Sequence, residues 1–237
     1  YLSIQMNLKF STKSKNLLNL KKNLKSAIVL DQIAFTVKQY SKNKESISSE
    51  INKKKWHNKP LIIRSSALCE DLEISSGAGE FLTISNVMGV SNIHNAILKV
   101  IDSYNDRNQN NEVFIQEYLD NVKISGVIFT RDINNNSPYI KINYDDSSGR
   151  TDTITSGGRV RNKVFYYHKS HNKIIRAFKN NLIILCRELE DIYNNDALDI
   201  EFAIDKKNNL YLLQVRPLLI NAKKTIDDNE HYNILKN

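Results

Sequence analysis

The chain has 237 residues, 41% hydrophobic and 25% charged, the profile of a globular protein with enough length for one large domain or two smaller ones. No apolar run approaches the roughly 20 residues of a membrane helix, and no secretory pattern opens the chain, which begins at Tyr1 as a fragment of a longer protein would. The net charge of +8 favours polyanionic partners, but the lysines are scattered in an Asn- and Ile-rich background, so they read as solvated faces, with neither a nucleic acid nor a membrane as partner.

In chain order, Leu17, Leu20, Leu24 and Ile28 fall on one helical stripe, predicting a helix over 15–28. A short strand then leads into more helix through "IAFTVKQY", and the Lys-rich stretch 41–59 reads as a surface helix and loop. "PLIIRSSA" is a buried strand running into a polar turn. A Gly-containing loop, "SSGAGE", precedes another strand. "SNIHNAILKVID" reads as a capped helix with Ile93, Ile97, Val100 and Ile101 inward. "VFIQEYL", "SGVIFTRD", "PYIKINYDD" and "RVRNKVFYYHK" are strands. Phe178, Leu182, Leu185, Leu189 and Ile192 give the next helix one apolar face. The segment 196–217 is a hairpin turning at "KKNN", after which the chain becomes polar. This alternation predicts an α+β protein in two lobes, 1–112 and 113–222, with a tail over 223–237 and a ligand cleft between the lobes. Cys69 and Cys186 lie far apart, as in a protein of the reducing cytoplasm. His168 and His171 lack a Cys or acidic neighbour, so they read as a strand end and not a metal site.

The hairpin carries chemistry. Residues two apart on a strand share a face, so Asp199 pairs with Glu201 and Gln214 with Arg216. If the strands pair across the turn, a carboxylate, an amide oxygen and a guanidinium converge. Mg²⁺ takes oxygen ligands together with phosphates, and Arg matches phosphate with a planar fork of donors. An ordinary surface hairpin with cross-strand ion pairs has the same pattern. Upstream, Arg64 ends an apolar strand before Ser65, Ser66 and the Gly77–Ala78–Gly79 loop, whose backbone could approach a phosphate or simply turn.

Taken together, "RSSALCEDLEISSGAGEF", "VFIQEYLDNVKISGVIFTRD", "DIEF" and "QVRP" occur in the order and spacing of a known family. The chain resembles the ATP-grasp-type, ATP-binding domain of phosphoenolpyruvate synthase and pyruvate phosphate dikinase, over nearly its whole length. The resemblance implies a two-lobed ATP-grasp fold with ATP and Mg²⁺ as cofactors. It aligns Lys13, in "STKSKNLL", with a lysine that reaches the nucleotide phosphates. Arg64 would bind phosphate and help stabilise the transferring group. Gly79 and Thr83 would lie in the phosphate-covering loop, and Gln116 on the hinge strand against adenine. Glu201 and Gln214 would hold Mg²⁺ with Asp199 close behind, and Arg216 would clamp the transferred phosphate.

The match departs from the family at several points. Ser11 and Thr12 replace two glycines before the lysine, and Glu80 stands where Gln is usual. The region of a Gly-Leu-Gly-Glu loop is "YDDSSGRTDTITSGG", whose Asp145, Asp146, Arg150 and Asp152 admit two readings, a substrate or partner loop or a plain polar one. No Thr-Ser-His type segment is present. The resemblance therefore implies an ATP-dependent phosphotransferase module whose phosphohistidine domain lies elsewhere in a longer chain or on a partner subunit. AMP and phosphate would be co-products, and the acceptor would be pyruvate, glutamine or an antibiotic, with a faint lean to glutamine. The alternative is a catalytically silent nucleotide-binding regulatory or scaffolding module.

Overall fold

The computed structural model describes residues 7–68, 81–149, 151, 162–171, 175, 178–220 and 227–234. The chain divides into two compact units, Ser11–Lys22 with Val29–Asp120, and Tyr1–Phe10 with Asn23–Ile28 and Asn121–Asn237. Each is built on one antiparallel sheet with helices, so the α+β class is as expected.

The first unit has a four-stranded sheet in the order β1-β4-β2-β3, formed by Gln32–Thr36, Glu112–Glu117, Leu61–Ser66 and Thr83–Val87. Strand alternation sorts its side chains onto two faces. Ile33, Phe35, Leu61, Ile63, Val113 and Ile115 form one face. They join residues of α2 (Val37–Lys42), α3 (Lys44–Lys53) and α4 (Val90–Asp102) in a core that includes Tyr40, Ile51, Trp56, Ile93 and Ile97. Thr36 and Gln39 start α2 with a reciprocal capping box, and the Asn43 side chain accepts the Ser46 N–H to start α3. The capped start expected for α4 is absent: Gly89 is its N-cap, without a side-chain hydrogen bond. Ile93, Ile97 and Val100 are buried as expected, and Ile101 only partly.

The expected lobe boundary at 112 is displaced. The unit extends to Asp120 because β4 is an interior strand, paired on both sides, with Val113 and Ile115 fully buried. The first helix, α1 (Lys13–Asn23), buries Leu17 and Leu20 but stops before Leu24. Ile28 instead forms a parallel bridge to Tyr211.

The second unit has a five-stranded sheet in the order β7-β6-β5-β8-β9, formed by Lys163–His168, Tyr139–Asp145, Val122–Phe129, Leu198–Asp205 and Leu210–Pro217. Its apolar face carries Ile128, Ile142, Ile200, Phe202 and Leu212. Helix α5 (Phe178–Tyr193) lies on that side: Phe178 meets the Tyr144 ring edge-on at 5.3 Å, and the Lys179 ammonium sits 4.4 Å from the Phe165 ring centroid. Leu182, Leu185, Leu189 and Ile192 are buried along it, and Phe178 only partly. Cys186 is buried there too, where desolvation pushes its thiol far above the ordinary range. Cys69 lies outside the described residues.

The β8–β9 turn is built as its composition requires. Asp205 accepts the N–H groups of Lys207 and Asn209, and Asn208 takes a positive φ of 65°. The C-terminal tail does not simply leave the unit. Asp228–Ile234 forms α6, and Arg131 binds both Asp228 and Asp196, at 2.6 and 2.5 Å. The His231 ring stacks on His168 at 5.5 Å, and the Tyr232 ring does so at 5.3 Å. Acidic and aromatic residues hidden in a polar stretch thus hold α6 in place, which the composition of 223–237 did not reveal. Among the described residues no helix is long and apolar enough to cross a membrane.

Candidate functional site

Of the residues singled out in the sequence, Arg64, Thr83 and Gln116 lie on one face of the four-stranded sheet, and Asp199, Glu201, Gln214 and Arg216 on one face of the five-stranded sheet. In the five-stranded unit, Asp199 stands directly opposite Arg216, and Glu201 opposite Gln214. A bulge decides this. Phe202 pairs with Leu212 while Glu201 pairs with Gln214, so Leu213 is an extra residue on β9. Leu210 and Leu212 therefore face the apolar side, whereas Gln214 and Arg216 share the face of Glu201 and Asp199. Unbroken alternation would have put Gln214 on the side of Leu212.

The bulge gives two oxygen donors side by side, with a guanidinium one step along the strands. Gln214 is 5% exposed and Asp199 8%. Arg216 directs Nε and Nη2 to the same Asp199 oxygen, both at 2.8 Å. Asp199, expected just behind a metal, is thus the carboxylate that orients Arg216. The donor set of Glu201 and Gln214 suits a cation that completes its shell with phosphate oxygens and water. Among the described residues no cluster of three or more His, Cys, Asp or Glu could hold a metal by itself.

The same face carries residues that the motifs did not single out. Lys141 and Asn143 of β6 lie in the rows of Asp199 and Glu201, through Phe129 and Val127 of β5. The alternation of "YIKINYDD" put them on one face, but only the register brings that face to β8. Asp145 follows on the same strand. It is 2% exposed, and its carboxylate accepts hydrogen bonds from Ser147 and Ser148. Burial would raise its pKa, but these donors outweigh it and hold the group far below the ordinary carboxylate range. Asp146 pairs with Lys163 at 2.7 Å. These two aspartates thus organise their own turn and edge strand. Arg150 and Asp152 lie outside the described residues.

In the four-stranded unit, the register sets Ala34, Phe114, Arg64 and Thr83 in one row. Gln32, Gln116 and Ile62 form the row on one side, and Thr36, Glu112 and Ser66 the row on the other. Arg64 and Thr83 are direct neighbours, and Gln116 shares their face at 3% exposure. The Arg64 guanidinium lies 5.4 Å from the centre of the Phe114 ring, which is fully buried. That cation–π contact holds the guanidinium over the ring.

Lys13 begins α1, and the segment around it is tied to this polar face. Gln32 Nε2 donates to the Ser14 carbonyl at 2.7 Å, and the Ser14 N–H donates to Ser66 Oγ at 3.1 Å. Arg64, Thr83 and Gln116 therefore share one face of one unit, with the Lys13 segment tied to that face through Ser14, and Asp199, Glu201, Gln214 and Arg216 share one face of the other. Gly79 lies outside the described residues. Glu112, Gln32 and Phe114 were missed because alternation alone does not tell which strands will be neighbours.

A pocket of about 700 Å³ in the five-stranded unit lies elsewhere, lined by Leu8, Phe10, Glu190, Tyr193 and Asp196 among others. It contains none of these residues.

Residues 4–183 match the model of the family described as pyruvate phosphate dikinase, AMP/ATP-binding domain. No curated protein matches the sequence. Among solved structures, the chain is similar to the D-alanine–D-alanine ligase of Helicobacter pylori, with 15% identity, 95% of this chain and 57% of that one covered, and a TM-score of 0.48. It is also similar to the VanG D-Ala:D-Ser ligase of Enterococcus faecalis, with 12% identity, 92% and 55% coverage and a TM-score of 0.46. A third is the N5-carboxyaminoimidazole synthetase of Staphylococcus aureus, with 15% identity, 90% and 45% coverage and a TM-score of 0.46. The chain spans about half the length of these proteins. With most of its length matched by the family model, and with the motifs in register, the chain belongs to the AMP/ATP-binding domain family of pyruvate phosphate dikinase.

Proposed function

We propose that the chain is the ATP-binding module of a dikinase-type phosphotransferase. It moves phosphate from Mg-ATP to a histidine on a separate domain, with one water cleaving the second phosphate bond so that AMP and phosphate are left, and the phosphohistidine then serves a small acceptor such as pyruvate, glutamine or an antibiotic. The observation that carries this reading is the paired register of Asp199 with Arg216 and Glu201 with Gln214 on one polar face. An arbitrary surface hairpin has no need of a bulge that turns an amide and a guanidinium onto the face of two carboxylates.

The roles follow from the donor types. Lys13 and Arg64 place positive charge at the nucleotide phosphates. Gly79 and Thr83 cover them, and Gln116 lies against the adenine. Glu201 and Gln214 hold Mg²⁺ through oxygen. When bound, the metal offsets the charge of the polyphosphate. Arg216 clamps the group in transfer, and Asp199 keeps its guanidinium oriented, so no reorganisation is needed as charge builds up. The phosphohistidine domain is a partner, either further along a longer chain or on another subunit.

Calorimetric titration with ATP and Mg²⁺ tests the reading, with a Glu201→Ala/Arg216→Ala double variant alongside. Micromolar binding by the wild-type chain that the variant loses supports it. Binding that survives both substitutions places the nucleotide elsewhere, and no binding by the wild-type chain removes the ATP reading for this module.

A further inference from the structure

Ser11 and Thr12 stand immediately before Lys13, and the structure shows what holds them. Glu112, the first residue of β4, is 6% exposed, and its carboxylate collects the segment on either side of Lys13. Thr12 Oγ1 donates to Glu112 Oε2 at 2.7 Å, and Ser14 Oγ donates to the same oxygen at 2.5 Å. The Lys15 ammonium meets Oε1 at 2.9 Å. Three of the four residues from 12 to 15 are thus fastened to one carboxylate, and the residue between the two hydroxyl anchors is Lys13.

Further contacts lock both partners. Asn16 closes the segment on itself, its Oδ1 accepting the Ser11 N–H and its Nδ2 donating to the Ser11 carbonyl, both at 2.8 Å. Tyr104 donates its hydroxyl to the Glu112 carbonyl at 2.5 Å and accepts the Ser66 N–H at 3.2 Å, which fixes the strand end beneath. Burial would raise the Glu112 pKa, but the Ser14, Lys15 and Thr12 contacts prevail and hold it below the ordinary value, so the clamp is ionised at neutral pH.

Resting on the ATP reading above, we propose that Glu112 is a positioning residue for Lys13. It is a side-chain clamp that presents the lysine to the nucleotide phosphates. Glu112 touches no nucleotide in this scheme and acts only through the 12–15 segment. Its site on the face that carries Arg64, one row away, sets the lysine on the same polar surface as the arginine.

The test is a cycle on the full 237-residue chain: wild type, Glu112→Gln, Lys13→Ala and the double variant, each titrated with Mg-ATP. Amide hydrogen exchange is followed over 11–16 without ligand. A Thr12→Ala/Ser14→Ala variant, which keeps Glu112 and Lys15, guards against a folding defect in Glu112→Gln. Glu112→Gln and the hydroxyl-free variant should each weaken Mg-ATP binding about tenfold, the scale of a lost charge-assisted contact. Both should speed exchange at 11–16, and Glu112→Gln should add little once Lys13 is already Ala. Additive losses in the double variant, or unchanged exchange in Glu112→Gln, overturn the proposal. If the wild-type chain binds no Mg-ATP, the functional reading fails and with it the role of Glu112 in nucleotide binding, while the exchange data still decide whether Glu112 clamps the segment.

Discussion

Gly126, the glycine of "SGVIF", offers the sharpest test of how packing serves the candidate site. A Cβ built there would stand 2.3 Å from the Asn143 carbonyl oxygen and 2.8 and 2.9 Å from two ring carbons of Phe202. The oxygen belongs to the neighbouring strand, since Gly126 pairs with Tyr144, and so cannot turn aside. Phe202 is fully buried and has no solvent to swing into. Gly126→Ala therefore forces β5 and β6 apart or displaces Phe202. Overpacking of this kind costs about 1–3 kcal/mol. With a urea dependence of roughly 1–3 kcal/mol per molar, the unfolding midpoint should fall by about 1 M. Phe202 follows Glu201 directly, so the displacement should also weaken Mg-ATP binding. Urea unfolding followed by circular dichroism measures the first effect, and calorimetry the second. Phe202→Leu in the Gly126→Ala background should return part of the loss, because residues in contact do not behave additively. A wild-type midpoint for Gly126→Ala, or strict additivity with Phe202→Leu, would refute the packing argument.

Arg216→Lys keeps the charge but loses the fork that meets Asp199. On the proposed phosphotransferase reading, phosphoryl transfer to a histidine-bearing partner domain should fall about 10²–10³-fold, while Mg-ATP affinity changes far less. Asp228→Asn weakens the tie from α6 to Arg131, so amide exchange over 228–234 should quicken while that of β5 and β8 stays unchanged. The docking of α6 should also depend on pH. His168 accepts the Ser170 N–H at Nδ1, and burial, then His231 and His171, hold its pKa below the ordinary 6.5, against a smaller opposing pull from Asp228. Undocking α6 removes the His231 contribution, which outweighs that of Asp228, so the undocked state binds the proton more readily and docking weakens as pH falls below the ordinary value. Exchange over 228–234 measured across that range should show the loss, and His168→Phe should abolish its pH dependence.

Much of the architecture was legible from local pattern. The stripe Leu182, Leu185, Leu189, Ile192 marked α5, and the alternation of "IEFAID" against "LYLLQ" marked a hairpin, because burial on one face imposes the period of the element. The failures have equally physical causes. The boundary at 112 followed loop composition, whereas β4 belongs with β1 and β2 because its Val113 and Ile115 complete their core. The tail looked like a linker because α6 is held by Asp228, His231 and Tyr232, residues whose partners lie far away in sequence. Glu112 was invisible for the same reason: its partners Thr12, Ser14 and Lys15 lie about 100 positions earlier.

Sequence alone determined the family, through motifs whose spacing needs no fold to be recognised, and it named Arg64, Glu201, Gln214 and Arg216 by their chemistry. Only the tertiary structure decided which of them share a surface. A strand's alternation specifies that two residues face the same way, but not which way, and one extra residue at Leu213 reverses the answer for Gln214 and Arg216. Register and bulges are set by how whole sheets close over their cores, and that information is spread across the chain and contained in no single motif.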